Sequence, residues 1–293
     1  MPLLKRSRSA TSERKENNDG RMPLMEHLRE LRNRLVKAML GLVAGMILGY
    51  IYFDPIWAFV TDPYCEVPAA RTLTGECSLT VRAVFQSFFL NLKVAALFAV
   101  VASSPWWLYQ IWAFVTPGLY RNEKRYTVSF LAIGVPLFFA GTALAYLIMV
   151  PSLTIMFGFL PDNVVAAIDI DEYLSFAIVM LLIFGISFEL PLLLVFLNVI
   201  GVVSHAMVKK HRRAVIFGMF VLGAVATPTG DPFTMLVLAF PMILLFAAAE
   251  GFMFLNDRRR SRHSENFEHL DDDAISPLDP TPAPLDDLEV DRR

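Results

Sequence analysis

Between Arg125 and Asp162 no side chain carries a charge, and that run excludes most folds open to a chain of 293 residues. A hydrocarbon core of ~30 Å needs ~20 apolar residues in a helix rising ~1.5 Å per residue. Similar runs recur along the chain, while charges crowd into residues 1–37, short islands and 256–293. With 55% hydrophobic and 18% charged residues and a mean hydropathy of +0.50, the chain reads as an all-α integral membrane protein. Six spans are expected, at 35–53, 84–108, 128–150, 175–200, 214–227 and 233–255.

Basic residues alternate across these spans. One side collects Arg29, Arg32 and Arg34, then Arg121, Lys124 and Arg125, then Lys209, Lys210, Arg212 and Arg213, then Arg258 to Arg260. The other has Arg71 and Arg82 in its first loop. Positive charge stays cytoplasmic, so both termini are expected inside. The N-terminus lacks the apolar core of a secretory signal. Trp106, Trp107, Tyr109 and Trp112 suggest an interfacial aromatic belt. Pro151 is expected to end or kink the third span, laying LTIMFGFL on the outer surface. The fifth span covers only about 21 Å, and the fifth and sixth form a short hairpin. Asp231 is expected to cap the sixth, with Pro232 at its first helical position. Residues 1–21 and 256–293 are expected to be disordered tails around a membrane domain at 22–255. The second tail begins DRRRSRH, a cluster suited to anionic lipid, and turns acidic and proline-rich.

Residues able to carry chemistry are few. Cys65 and Cys77 both fall in the first outer loop, where a disulfide would contribute roughly 3 kcal/mol. No phosphate loop occurs, the serine of GISFE lacks the glycine of a nucleophile elbow, and no histidine lies in a span. His205 and His211 are poorly spaced for a metal. No catalysis, cofactor, metal or nucleic acid is therefore expected. Glu189, followed by Pro191 inside the fourth span, interrupts the apolar run near the bilayer midplane. Taken alone it suggests a proton-coupled secondary transporter. Gly41, Gly45 and Gly49 form a flat helix face for close packing, within the chain or between subunits. Leu24, Leu28, Leu31 and Leu35 mark an amphipathic helix before the first span. On it Glu30 stands four residues from Arg34, and Glu123 lies among Arg121, Lys124 and Arg125. Local ion pairs account for both glutamates on spacing alone.

EHLRELRNRL before the first span, LYQIWAFVTPGLYRNEKR after the second, FGISFELP in the fourth and TPTGDPF before the sixth occur together and in order. In this the chain resembles the TatC family, the core subunit of the twin-arginine protein translocase, over about residues 22–255. The resemblance implies a concave, glove-like arrangement of six spans in the bacterial cytoplasmic membrane. It also implies no enzyme activity, but a receptor for twin-arginine signal peptides of folded cargo, driven by proton motive force. Implied partners are TatA-type and TatB-type single-span subunits, the lipid bilayer, and further copies of the chain in a receptor complex. The family's binding glutamates match Glu30 and Glu123, which replaces the local-pair reading. His27, Arg32, Phe114, Arg121 and Lys124 match positions that support the site. Glu189 and Pro191 are then expected to meet a partner helix or signal peptide from the concave side. The cysteine pair and the long tails depart from the family pattern.

Overall fold

The computed structural model describes residues 24–70, 77, 79–115, 123–161, 168–226 and 231–268, with backbone only at 24, 26, 69, 123–126, 226 and 262–268. Both expected tails lie largely outside these residues. Eight α-helices carry the described chain: α1 (Leu24–Ile51), α2 (Phe53–Glu66), α3 (Gln86–Ala102), α4 (Ser104–Val115), α5 (Glu123–Phe157), α6 (Ile170–Val199), α7 (His205–Ala226) and α8 (Pro232–Glu268). A two-residue parallel pair joins β1 (Leu79–Thr80) to β2 (Ile168–Asp169).

Four helices are long and apolar enough to cross a membrane, namely α1, α5, α6 and α8, and the bent pair α3–α4 makes a fifth. The expected span at 84–108 is thus two helices meeting at 57°. Pro105 has no amide hydrogen to continue the ladder. Ser103 caps the break from both sides: its amide donates to the Ala99 carbonyl (3.0 Å), while its own carbonyl accepts from the Trp106 amide (2.9 Å). The expected fifth span lies within α7. The first half of α7 carries Lys209, Lys210, Arg212 and Arg213, and the helix falls short of spanning composition.

Three expectations are corrected. Pro151 does not end its helix: α5 runs through Pro136 and Pro151 to Phe157. Neighbouring hydroxyls bond back to the helix there, Ser152 to the Ile148 carbonyl (2.7 Å) and Thr154 to that of Val150 (2.8 Å). The sixth span is not short, because α8 continues past Leu255 with neither proline nor glycine to stop it. Residues 256 and 257 belong to the packed fold rather than to a tail. Asp257 accepts from the His205 amide (2.7 Å), capping α7, and from Asn198 of α6 (2.9 Å), while Asn256 donates to Asn198 (3.0 Å).

The outer loop also holds an unforeseen helix, α2, whose Pro55 and Pro63 hide its period. Tyr173 of α6 donates to the Val60 carbonyl (2.6 Å) and Tyr146 of α5 to that of Phe59 (3.2 Å), pinning α2 over the bundle. The Cys65–Cys77 disulfide ties its end to the segment leading into β1. Asp169 caps α6, accepting from the Asp171 amide at 2.8 Å, and also receives Gln86 and Arg82. Asp231 caps α8 as expected, accepting from the Thr234 amide at 2.8 Å.

Two seams hold the bundle. On α5 and α6, Gly141 and Gly185 bring the backbones together: a methyl at Gly141 would lie 2.5 Å from the Phe184 carbonyl oxygen. The other seam is the α1 glycine stripe, which packs within the chain. A Cβ at Gly45 would meet the Ala99 Cα at 2.9 Å, and one at Gly49 the Ala95 carbonyl at 2.9 Å. At Gly41 the space belongs to Trp106, whose indole donates to the Lys37 carbonyl (2.8 Å). Trp112 is a packing residue, buried between Phe130 of α5 and Phe196 of α6, while Trp106 and Tyr109 remain exposed.

In lipid, such contacts stabilise through close packing rather than water exclusion. Gly45→Leu is expected to cost about 1–3 kcal/mol by overpacking, read as a lower unfolding midpoint in detergent. Gly218→Leu, at a position with nothing within 4 Å, should leave the midpoint unchanged. The disulfide closes a separation of 12 residues, so Cys65→Ser with Cys77→Ser should cost about 2–4 kcal/mol in the same assay. The native chain should take up maleimide only after reduction.

Candidate functional site

The N-terminal turns of α1 and the C-terminal end of α4 meet. His27 stacks on Phe114 with ring centroids 4.6 Å apart and planes at 21°. That contact brings two motifs far apart in sequence to one end of the bundle. Glu30 follows His27 by one turn and faces Arg34, whose Nε and Nη2 both donate to Oε1, at 2.9 and 2.6 Å. Arg32 is exposed and, with Met25, Leu28 and Arg29, lines a shallow depression beside the pair.

α5 opens at Glu123. Its first turns are placed by Phe130, which stacks on Trp112 at 5.0 Å, so Glu123 lies two turns beyond that contact, past the end of α4. The side chains of Glu123 and Lys124, and Arg121 altogether, lie outside the described residues. What the structure joins is therefore His27, Glu30 and Phe114, with the α5 start presented at the same end.

Glu189 sits elsewhere. Both its carboxyl oxygens are buried without a hydrogen-bond partner. They press on α5, where a Cβ at Gly134 would lie 3.0 Å from Oε2. Pro191 lines an apolar groove between α5, α6 and α8. Lys93 of α3 does not serve Glu189. It pairs with Asp171 at 2.6 Å and donates to Ser175 at 3.1 Å at the head of α6. No cluster of metal ligands occurs among the described residues.

Sequence reasoning missed several polar anchors. Glu250 of α8 receives Arg212 at 3.4 Å and faces His205 at 3.9 Å, and Asp257 organises the opposite turn. A signal existed for Asp169: with Glu172 three residues later, it has capping-box spacing. Glu250 is the lone charge in the expected sixth span, a signal like that of Glu189, but its partners come from another helix.

Known proteins share this sequence and this fold. The family model described as "Sec-independent protein translocase protein (TatC)" matches residues 26–241. The Sec-independent protein translocase protein TatC of Frankia casuarinae is 43% identical, over 91% of this chain and 75% of the relative. That of Corynebacterium kroppenstedtii is 36% identical, over 92% and 70%. The crystal structure of the twin-arginine translocase receptor TatC in DDM superposes with a TM-score of 0.66 at 26% identity, covering 78% of this chain and 99% of that one. These relatives are named as transport components rather than catalysts. With α1, α5, α6 and α8 of membrane-spanning length and the matched region running from Glu26 into α8, this chain is a membrane protein of the TatC family of Sec-independent protein translocases.

Proposed function

We propose that the chain is the signal-peptide receptor and core subunit of a twin-arginine translocase, exporting folded proteins across the bacterial cytoplasmic membrane with proton motive force. In this reading six segments cross the bilayer, α7 supplying the fifth despite its basic first half. Both termini are cytoplasmic, because the basic ends of α1, α7 and α8 face inward.

The observation that carries the reading is the stack of His27 on Phe114, which sets the helix that carries Glu30 against the end of α4. Two arginines of a signal peptide need carboxylates of matching fork geometry, which lysine cannot supply equally. Glu30 already holds a guanidinium, that of Arg34. A pair four residues apart on a helix surface is worth only about 0.3–0.5 kcal/mol, so an incoming arginine displaces Arg34 at small cost. Glu123 takes the second guanidinium, with Arg32, Arg121 and Lys124 shaping the rim. Single-span partners of the TatA and TatB types, and further copies of this chain, complete the complex. Glu189, buried and unpaired beside Pro191, offers a polar contact to a partner or signal-peptide helix. A secondary transporter would need a chain of acid–base groups leading to Glu189, whereas Lys93 is engaged by Asp171.

Photocrosslinking tests the site. A twin-arginine peptide carrying a photoreactive residue should label the native protein, and Glu30→Lys with Glu123→Lys should abolish the label. Unchanged labelling sinks the site as drawn. Arg34→Ala, which frees Glu30, should strengthen labelling slightly. At Glu189, export of a folded reporter should survive Glu189→Gln and fall further in Glu189→Ala. Complete loss in the Gln variant would restore a proton-relay role.

A further inference from the structure

The groove beside Pro191 is apolar along its length, Ser129 being its one polar lining residue. Ser129 of α5, Val199 of α6 and Phe252 of α8 line the end nearer the basic loops, and Leu137, Pro191 and Leu245 line the deeper end. Its volume is about 490 Å³. From Ser129 to Leu137 the helix rises ~12 Å at ~1.5 Å per residue. A transmembrane helix would need to run the full ~30 Å of the bilayer, whereas a single chain of methylenes is satisfied by this shorter length.

Charge marks what such a chain would be attached to. Arg259 follows Phe252 by seven residues, two turns along the same face of α8, and is exposed. The Arg260 guanidinium rests on Gly201, two residues beyond Val199, so closely that a methyl there would lie 2.8 Å from Nη1. Gly201 has φ +81°, a conformation that leaves the turn open to that contact. Neither arginine has an acidic partner among the described residues. Two always-charged forks at the mouth of an apolar groove suit a phosphate with an acyl chain behind it. We infer that the α5–α6–α8 groove holds one acyl chain of an anionic phospholipid, with its phosphate bound by Arg259 and Arg260. This site is distinct from the Glu30 site, and the inference does not rest on the receptor reading.

The test uses the full chain in phosphatidylcholine vesicles doped with phosphatidylglycerol bearing a mid-chain photoreactive group. Labelled peptides should map to the groove-lining stretches of α5, α6 and α8. Arg259→Glu with Arg260→Glu should lower labelling about tenfold or more, since each basic residue near the surface is worth ~1 kcal/mol. Ala248→Trp, at an exposed groove position, should block it while leaving both arginines in place. Lys209→Glu with Lys210→Glu, at the same interface but on α7, should change it far less. Equal labelling by a phosphatidylcholine probe, an equal loss in the lysine variant, or label mapped elsewhere would overturn the inference. So would a groove that takes label from neither lipid but crosslinks to a co-reconstituted single-span partner, which would make it a helix site.

Discussion

Backbone amides inside a bilayer have no water to bond to, so every N–H and C=O must be satisfied within the chain. This constraint accounts for much of the architecture. It forces long uninterrupted helices, and it explains why α5, α6 and α8 continue through Pro136, Pro151, Pro191 and Pro241. Each proline removes one ladder bond, and around Pro151 serine and threonine hydroxyls turn back onto helical carbonyls. Where the chain must turn at the membrane surface, carboxylates take over the same duty. Asp169, Asp231 and Asp257 cap α6, α8 and α7.

The hydrophobic effect drives helices into lipid but does not choose which faces meet, because lipid tails are as apolar as leucine. Shape chooses. Glycines at 41, 45 and 49 let Trp106, Ala99 and Ala95 approach the α1 backbone, and Gly141 and Gly185 do the same between α5 and α6. Little else holds α1, since only 11% of its apolar window is buried in the chain. The glycine stripe therefore fixes where His27 and Glu30 stand. The stack of His27 on Phe114 depends on both α1 and the bend at Ser103 that turns α4 toward it.

The membrane class and the long apolar helices α1, α5, α6 and α8 were legible because they rest on composition and period. Less of the detail was legible. Proline in α2 and α5 has the local meaning of a break, yet burial and hydroxyl back-bonding keep those helices whole. The basic run after Leu255 reads as a tail boundary, yet Asp257 there anchors two helices. Trp112 reads as interfacial, yet Phe130 and Phe196 enclose it. The misreadings at Asp257 and Trp112 share a cause: the partner lies on another element, and no local pattern encodes it.

The sequence by itself determined that this chain belongs in a membrane and which side of each helix carries charge. The free energy of placing apolar or charged groups in lipid is a property of each segment alone. Tertiary structure alone decided that His27 stacks on Phe114 and that Glu189 presses on Gly134 of α5. It also placed two arginines at the mouth of an apolar groove. These outcomes depend on close fit between surfaces, and fit exists only once both surfaces are in place.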